Sequence, residues 1–393
     1  MGMRTPFAVM AVLLVLLVGV GFATEDGEKP APEPAAAPVS VIARRVEALR
    51  HLRYKAIPKP VAVSAATARR EGLADLDREY PAKQRHADEQ VLKTLALIPP
   101  SADLRELTGS LFEQGVAGYY DPHDGRLRVV TGTGTGTGTR VLKEMTLAHE
   151  LTHALEDQRF GLDSDTAGSD DRKLARTALI EGTATAIMYA YVQRYFTSEE
   201  TLGGLLGAAF QDTGSLPPFV EATVVFPYVG GNTFVDELLR RADGRWSLVN
   251  LAYRAHPPAS TEQILHPRAY FDAEAPEVVR LHVKAVLGKG WTRATAGTWG
   301  ELQTRELLGS APAAAGWGGD RYELWQSSAG VGDALVMRWR WDTRRDEREF
   351  LLRLGEFVRD KLGGQATAVV HRRGAVTLAI APDARLAARL ARS

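Results

Sequence analysis

Apolar residues recur at helical spacing over 41–54, where Ile42, Val46 and Leu49 share one side and Arg44 and Glu47 lie largely elsewhere, which predicts a helix. Helices are also predicted over 64–75, capped by Ser64, over 88–97, stopped by Pro99-Pro100, and over 104–115. A short β-favouring run, 60–63, precedes the first of these. Between 117 and 131 the period changes to two. Leu127 and Val129 alternate with Arg126 and Arg128 after a turn at Asp121-Pro122-His123-Asp124-Gly125, which predicts a β-hairpin. Long helices rich in Ala, Leu and Ile follow over 140–158 and 172–195. Glycine pairs at Gly203-Gly204 and Gly230-Gly231 then flank further helical stretches, with one helix over 233–241 and a helix-then-loop segment over 260–270.

From about Leu281 the texture differs, and six of the seven tryptophans lie beyond it. Strands are predicted at 322–326 and 334–341, then an amphipathic helix with Phe350, Leu351, Leu354, Phe357, Val358 and Leu362 on one face, closed by Gly363-Gly364. A second hairpin, 366–371 with 376–380, precedes a last helix. The expected fold class is therefore α+β: a mainly helical unit with a small sheet over 41–280 and a smaller C-terminal α+β domain over 281–393.

Composition narrows the class. The chain of 393 residues is 45% hydrophobic and 24% charged, an ordinary folding sequence. Its 48 basic and 48 acidic residues cancel, so no global field recruits nucleic acid. It contains no cysteine, so any metal must be held by His and carboxylate. At the N-terminus, Arg4, the apolar run 7–20 and the small residues of Gly21-Phe22-Ala23 read as an export signal over 1–23, with a retained membrane anchor through 7–23 as the alternative. Either places the remainder outside the cytoplasm: periplasmic, extracellular or anchored facing outward. Residues 24–40 form a Pro/Ala-rich linker, and TGTGTGTGT at 131–139 is expected to be a mobile loop.

The chemistry is concentrated in Thr146-Leu-Ala-His149-Glu150-Leu-Thr-His153-Ala-Leu-Glu156-Asp157-Gln. On a helix His149 and His153 project from one face a turn apart, so both imidazoles can reach one ion at about 2 Å. Glu150 is rotated by about 100° from His149, beside that ion, where a base would stand. A metzincin extension would need Gly and His where the chain has Glu156 and Arg159. Asp157, roughly 12 Å along the axis from His149, is too far to share the ion and is expected to hydrogen-bond a ligand imidazole. The expected third ligand is Glu181, a single acid in Ala178-Leu-Ile-Glu181-Gly182-Thr-Ala184, because a carboxylate in such surroundings is costly unless paired or metal-bound. Gly182 and Ala184 are expected to let this helix pack closely on the His149 helix.

HELTHALEDQ followed by LIEGTAT resembles the gluzincin metallopeptidases. More narrowly, AGYYDP, ALIEGTA, FPYVGG and PPASTEQILHP, spanning 117–270 with an extension into GWGGDRY, resemble a family of exported bacterial and archaeal proteins assigned to the metallopeptidases and largely uncharacterised. The resemblance implies a zincin-like domain, one Zn2+ ion, and a peptide or protein substrate. It also implies His149, His153 and Glu181 as ligands, with Glu150 as the base that takes a proton from the attacking water and returns it to the leaving amine. The chain departs from the pattern at Thr185, where some gluzincins place an aspartate partner for a ligand histidine. His266, ahead of Tyr228 and Tyr270, is the expected oxyanion-stabilising group, and the strand 126–131 is expected to be an edge along which substrate adds. Two alternatives stand beside an exported zinc peptidase: a catalytically silent zincin-fold binding protein of the cell envelope, and a scaffold whose histidines are incidental.

Overall fold

The computed structural model describes residues 36–114, 118–131, 140–162, 168–198 and 216–393. The export segment, most of the linker, Gly203-Gly204 and the threonine-glycine tract beyond Thr131 lie outside the described residues. The fold is α+β, as its periodicities require. No helix among the described residues is long and apolar enough to cross a membrane.

Helix α1 (Val39–Arg50) leads into a three-stranded sheet of β1 (Pro60–Ser64), β2 (Gly118–Asp121) and β3 (Arg126–Thr131). Ser64 caps the next helix, α2 (Ala65–Glu79), its side chain accepting from the Thr67 N–H. Helices α3 (Ala82–Thr94) and α4 (Leu104–Gln114) complete this part. The hairpin forms as expected, β2 antiparallel to β3. The strand expected to be an open edge does not: β3 is central, because β1 pairs parallel along its other side from Pro60 opposite Leu127 to Ser64 opposite Thr131.

Three long helices carry the centre of the molecule: α5 (Arg140–Phe160), α6 (Asp170–Tyr195) and α7 (Pro218–Arg241). Ala148, Leu151 and Leu155 of α5 pack with Leu174, Ala178 and Leu179 of α6, Phe234 and Leu238 of α7, and Ile42 and Val46 of α1. Helix α7 runs unbroken through Pro227 and Gly230-Gly231, where the sequence suggested an interruption. The reason is close packing. A Cβ on Gly231 would lie 2.0 Å from the Ala178 carbonyl oxygen, and one on Gly182 would lie 2.1 Å from the Gly231 carbonyl carbon. Gly182 therefore serves the α6–α7 contact, not the approach to the His149 helix expected from sequence.

Short helices α8 (Ser247–Arg254), α9 (Thr261–Leu265), α10 (Pro267–Phe271) and α11 (Val283–Leu287) lead to an antiparallel five-stranded sheet. Its strands are β4 (Trp291–Gly297), β5 (Trp317–Ser327), β6 (Asp333–Trp341), β7 (Ala366–Arg372) and β8 (Ala375–Ala381), in the order β4-β5-β6-β8-β7. Between them lie α12 (Gly300–Leu308), α13 (Ala311–Ala314) and α14 (Arg344–Lys361), and α15 (Ala384–Leu390) ends the chain. Period-two alternation sorts the two faces. Leu335, Met337, Trp339, Val376 and Leu378 meet Phe350, Leu354 and Phe357 of α14. Ala334, Val336 and Ala379 meet Ala387 and Leu390 of α15. The first of these cores also takes in Val91, Leu92, Leu104 and Val220, so apolar packing is continuous across residue 280.

The helix crossing at Gly231 makes a sharp prediction. Gly231→Ala should lower stability by about 3 kcal/mol or more, since the clash is with backbone and the helices must separate. Gly355→Ala, in α14 with nothing within 4 Å of the added carbon, should raise stability by about 0.5–1 kcal/mol. Urea denaturation of the two variants checks the contrast.

Candidate metal centre

Helix α5 has no glycine or proline to break it, so the two histidines keep their one-turn spacing. Glu181 comes from the middle of α6, which packs alongside. Nε2 of His153 lies 3.0 Å from Nε2 of His149, Oε2 of Glu181 lies 3.1 Å from the latter, and the third side of the triangle is 3.4 Å. All three residues are buried, at 1%, 8% and 3% exposure for His149, His153 and Glu181. Atoms each bonded at about 2 Å to one tetrahedral ion sit about 3.3 Å apart, so the donor set fits such an ion. Two imidazole nitrogens with one carboxylate oxygen suit zinc and iron by donor type.

The charges are tightly coupled. Burial pushes the Glu181 carboxyl up, but His153 and His149 more than offset this and hold it at about 2. Burial pushes His153 down, and Glu181 outweighs it, leaving His153 at about 9. His149 is lowered, burial prevailing over its contact with Glu181. Glu150 is not a member of the triangle: its Oε2 accepts the backbone N–H of Tyr120 at 2.7 Å. Burial pushes this carboxyl up to about 7, with His153 and the Tyr120 N–H pulling down and Glu181 pushing up.

The structure redistributes the remaining candidates. Asp157 holds no imidazole; Oδ2 accepts from the Tyr120 hydroxyl at 2.9 Å and Oδ1 from the Leu162 N–H at 3.0 Å. The Nδ1 atoms of His149 and His153 are buried without partners, and so is Oγ1 of Thr185. Thr185 thus supplies no substitute for the absent aspartate. His266 gives its Nε2 to Glu301 Oε1 at 2.8 Å and makes no contact with the triad. Tyr270 donates to the His256 carbonyl at 2.8 Å. Tyr228 is the one of the three that reaches the centre, its ring stacked 6.1 Å from that of His149 at 27°.

Two partners were missed from sequence. Tyr120 braces both Glu150 and Asp157 from strand β2, and the signal was available in AGYYDP: aromatic strand residues just before the histidine helix. Arg50 is fully buried, its Nε 2.8 Å from Glu156 Oε1, its Nη1 2.8 Å from Asn250 Oδ1, and its guanidinium 4.4 Å above Trp246. The Tyr253 hydroxyl donates to the other oxygen of Glu156 at 2.6 Å. Burial raises the Glu156 carboxyl while Arg50 and Tyr253 counteract it. One turn before His149, Glu144 accepts from Arg45, Tyr191 and the Ala37 N–H, so α1 grips α5 at both ends.

Comparison with known proteins reaches only the C-terminal sheet. The family described as a domain of unknown function (DUF8575) matches residues 284–392. No curated protein and no solved structure matches the chain.

The buried pair predicts non-additive loss. Arg50→Met strands Glu156 and should cost about 3–5 kcal/mol. Adding Glu156→Gln should recover part of this, because the uncompensated charge is then gone. Equilibrium denaturation of the single and double variants measures both numbers.

Proposed function

We propose that this protein is an exported zinc-dependent peptidase of zincin-like architecture, hydrolysing peptide bonds with Glu150 as general base. The observation that carries the reading is the buried triangle of His149 Nε2, His153 Nε2 and Glu181 Oε2, 3.0–3.4 Å on a side, with the Glu150 carboxyl close enough to feel the charges of His153 and Glu181. His149, His153 and Glu181 would hold the ion. When bound, zinc supplies Lewis acidity, making a water more acidic and a substrate carbonyl more electrophilic.

The chain's own residues account for the proton. Glu150 has one oxygen anchored by the Tyr120 N–H, and the other makes no hydrogen bond among the described residues. That second oxygen accepts a proton from the attacking water and returns it to the leaving amine. A carboxyl near 7 suits both transfers at neutral pH, since it neither holds nor refuses the proton strongly. Tyr228, lying against His149 where His266 does not, is the group assigned to the developing oxyanion. Residue placement also disfavours a silent binding protein, because a purely structural site has no use for a buried base beside its ligands.

Glu150→Gln should keep one metal ion per chain and reduce cleavage of a mixed peptide library by about 100- to 10,000-fold. His153→Ala and Glu181→Gln should lose the metal itself. Elemental analysis alongside cleavage with and without a chelator decides the matter. Metal-free wild-type protein, or undiminished cleavage by Glu150→Gln, would end the proposal.

A further inference from the structure

A second cluster of ligating groups stands where the C-terminal sheet meets the preceding helices. One carboxylate oxygen each from Glu262 on α9, Glu274 beyond α10 and Asp342 after β6 lies within 4.8 Å of the others. Each backbone is held by hydrogen bonds. The Glu274 carbonyl accepts from Gln263 Nε2 at 2.6 Å, the Asp342 N–H donates to the Gly316 carbonyl at 2.9 Å, and Glu262 follows Thr261, whose N–H donates to Asp171 Oδ1 at 3.0 Å.

Acidic clusters on a surface are commonplace; this one has a buried floor. Glu262 is only 4% exposed, and its carboxyl group makes no hydrogen bond or ion pair among the described residues. Glu301 lies close enough to act on both Glu262 and Asp342, and its Oε2 is buried without a partner. His266 is paired with Glu301 Oε1 and Arg340 with Glu277. Burial pushes Glu262 up to about 9, with Glu301, Asp342 and Glu274 adding to it, and Asp342 stands at about 6 for the same two reasons. Neighbouring carboxylates cannot all stay ionised at neutral pH unless a cation joins them.

We infer that Glu262, Glu274 and Asp342 form a binding site for a hard divalent cation of the calcium class, joining the helical unit to the C-terminal sheet. The donors are all oxygen, which selects against zinc and copper. Three oxygens gathered within 4.8 Å of one another need only small side-chain shifts to stand about 2.4 Å from one ion, the calcium distance. Exposure of Glu274 and Asp342 leaves room for the waters that calcium's higher coordination number needs. The site is separate from the histidine centre and does not depend on the peptidase reading. It reaches that centre mechanically, since Thr261 is tied to Asp171 in the first turn of the helix carrying Glu181.

The test is calcium titration of the full zinc-treated chain, followed by calorimetry and thermal melting. One saturable calcium site per chain is expected, with a rise in Tm of about 5 °C at a hundredfold excess over Kd. Glu262→Gln, Glu274→Gln and Asp342→Asn should each abolish most of the rise, whereas His153→Ala should keep it. Without calcium, Glu262→Gln should melt above the wild type, because it removes an uncompensated buried acid. The exposed positions Glu274 and Asp342 keep the test decisive if the buried variant folds poorly. Absence of saturable calcium binding, or an unchanged calcium response in Glu274→Gln and Asp342→Asn, overturns the assignment.

Discussion

The arrangement turns on the burial of one carboxylate. Glu181 lies in the middle of a helix packed on both sides, where an isolated ionised acid would be prohibitively unfavourable. It is tolerated because two imidazoles from the adjoining helix converge on it, and that convergence fixes the axial register of α5 against α6. Register in turn fixes everything else near the centre. It sets Leu151 and Leu155 against the shared core while His149 and His153 face inward, and it leaves Glu150 to be met by strand β2. On its other side α6 must admit α7 at backbone contact, which Gly182 and Gly231 allow.

A helix held so closely needs rigid ends, and the N-terminal segment provides them. Helix α1 gives Arg45 to Glu144 near the start of α5 and Arg50 to Glu156 near its end, with Tyr191 and Tyr253 completing the two networks. These acids flank the histidine pair by roughly one turn on each side. Such pairs do little for net stability, because desolvation consumes most of their Coulomb energy. Their effect is specificity: a shifted α5 would leave buried charges without partners. The segment beginning at Val39 is thereby a structural part of the metal-centre unit.

What was legible in the sequence follows from range. Local signals read well: the Ser64 cap, the turn at 121–125, the Phe350–Leu354–Phe357 stripe and the one-turn spacing of the histidines all depend on residues close in the chain. Glu181 was also legible, since an acid among small and apolar residues asks for a partner. Non-local pairings were not. The strand β3 was expected to be an edge from the zincin resemblance, and its parallel partner, more than sixty residues earlier, gave no local signal against it. Gly230-Gly231 signalled a break because glycine disfavours helix, yet the helix persists where another backbone needs the space. Asp157 and His266 were assigned by chemical type, and each found a different partner through tertiary contacts that spacing does not encode.

The two clusters of acids in this chain show one physical problem with two kinds of solution. At the histidine centre, the negative charge of Glu181 is already balanced within the protein, because His153 stands well above its ordinary value and can carry the compensating proton. A cation held there, as proposed, would displace that proton, and its binding would strengthen as the pH rises. At the Glu262 cluster no base among the described residues completes the set, so the compensating charge has to come from solution or the acids must stay protonated. Donor identity then separates the ions: imidazole nitrogen attracts borderline metals to the first, and oxygen alone leaves the second to hard ones. Under the two proposals, a cysteine-free chain would distinguish two divalent cations using only three types of side chain.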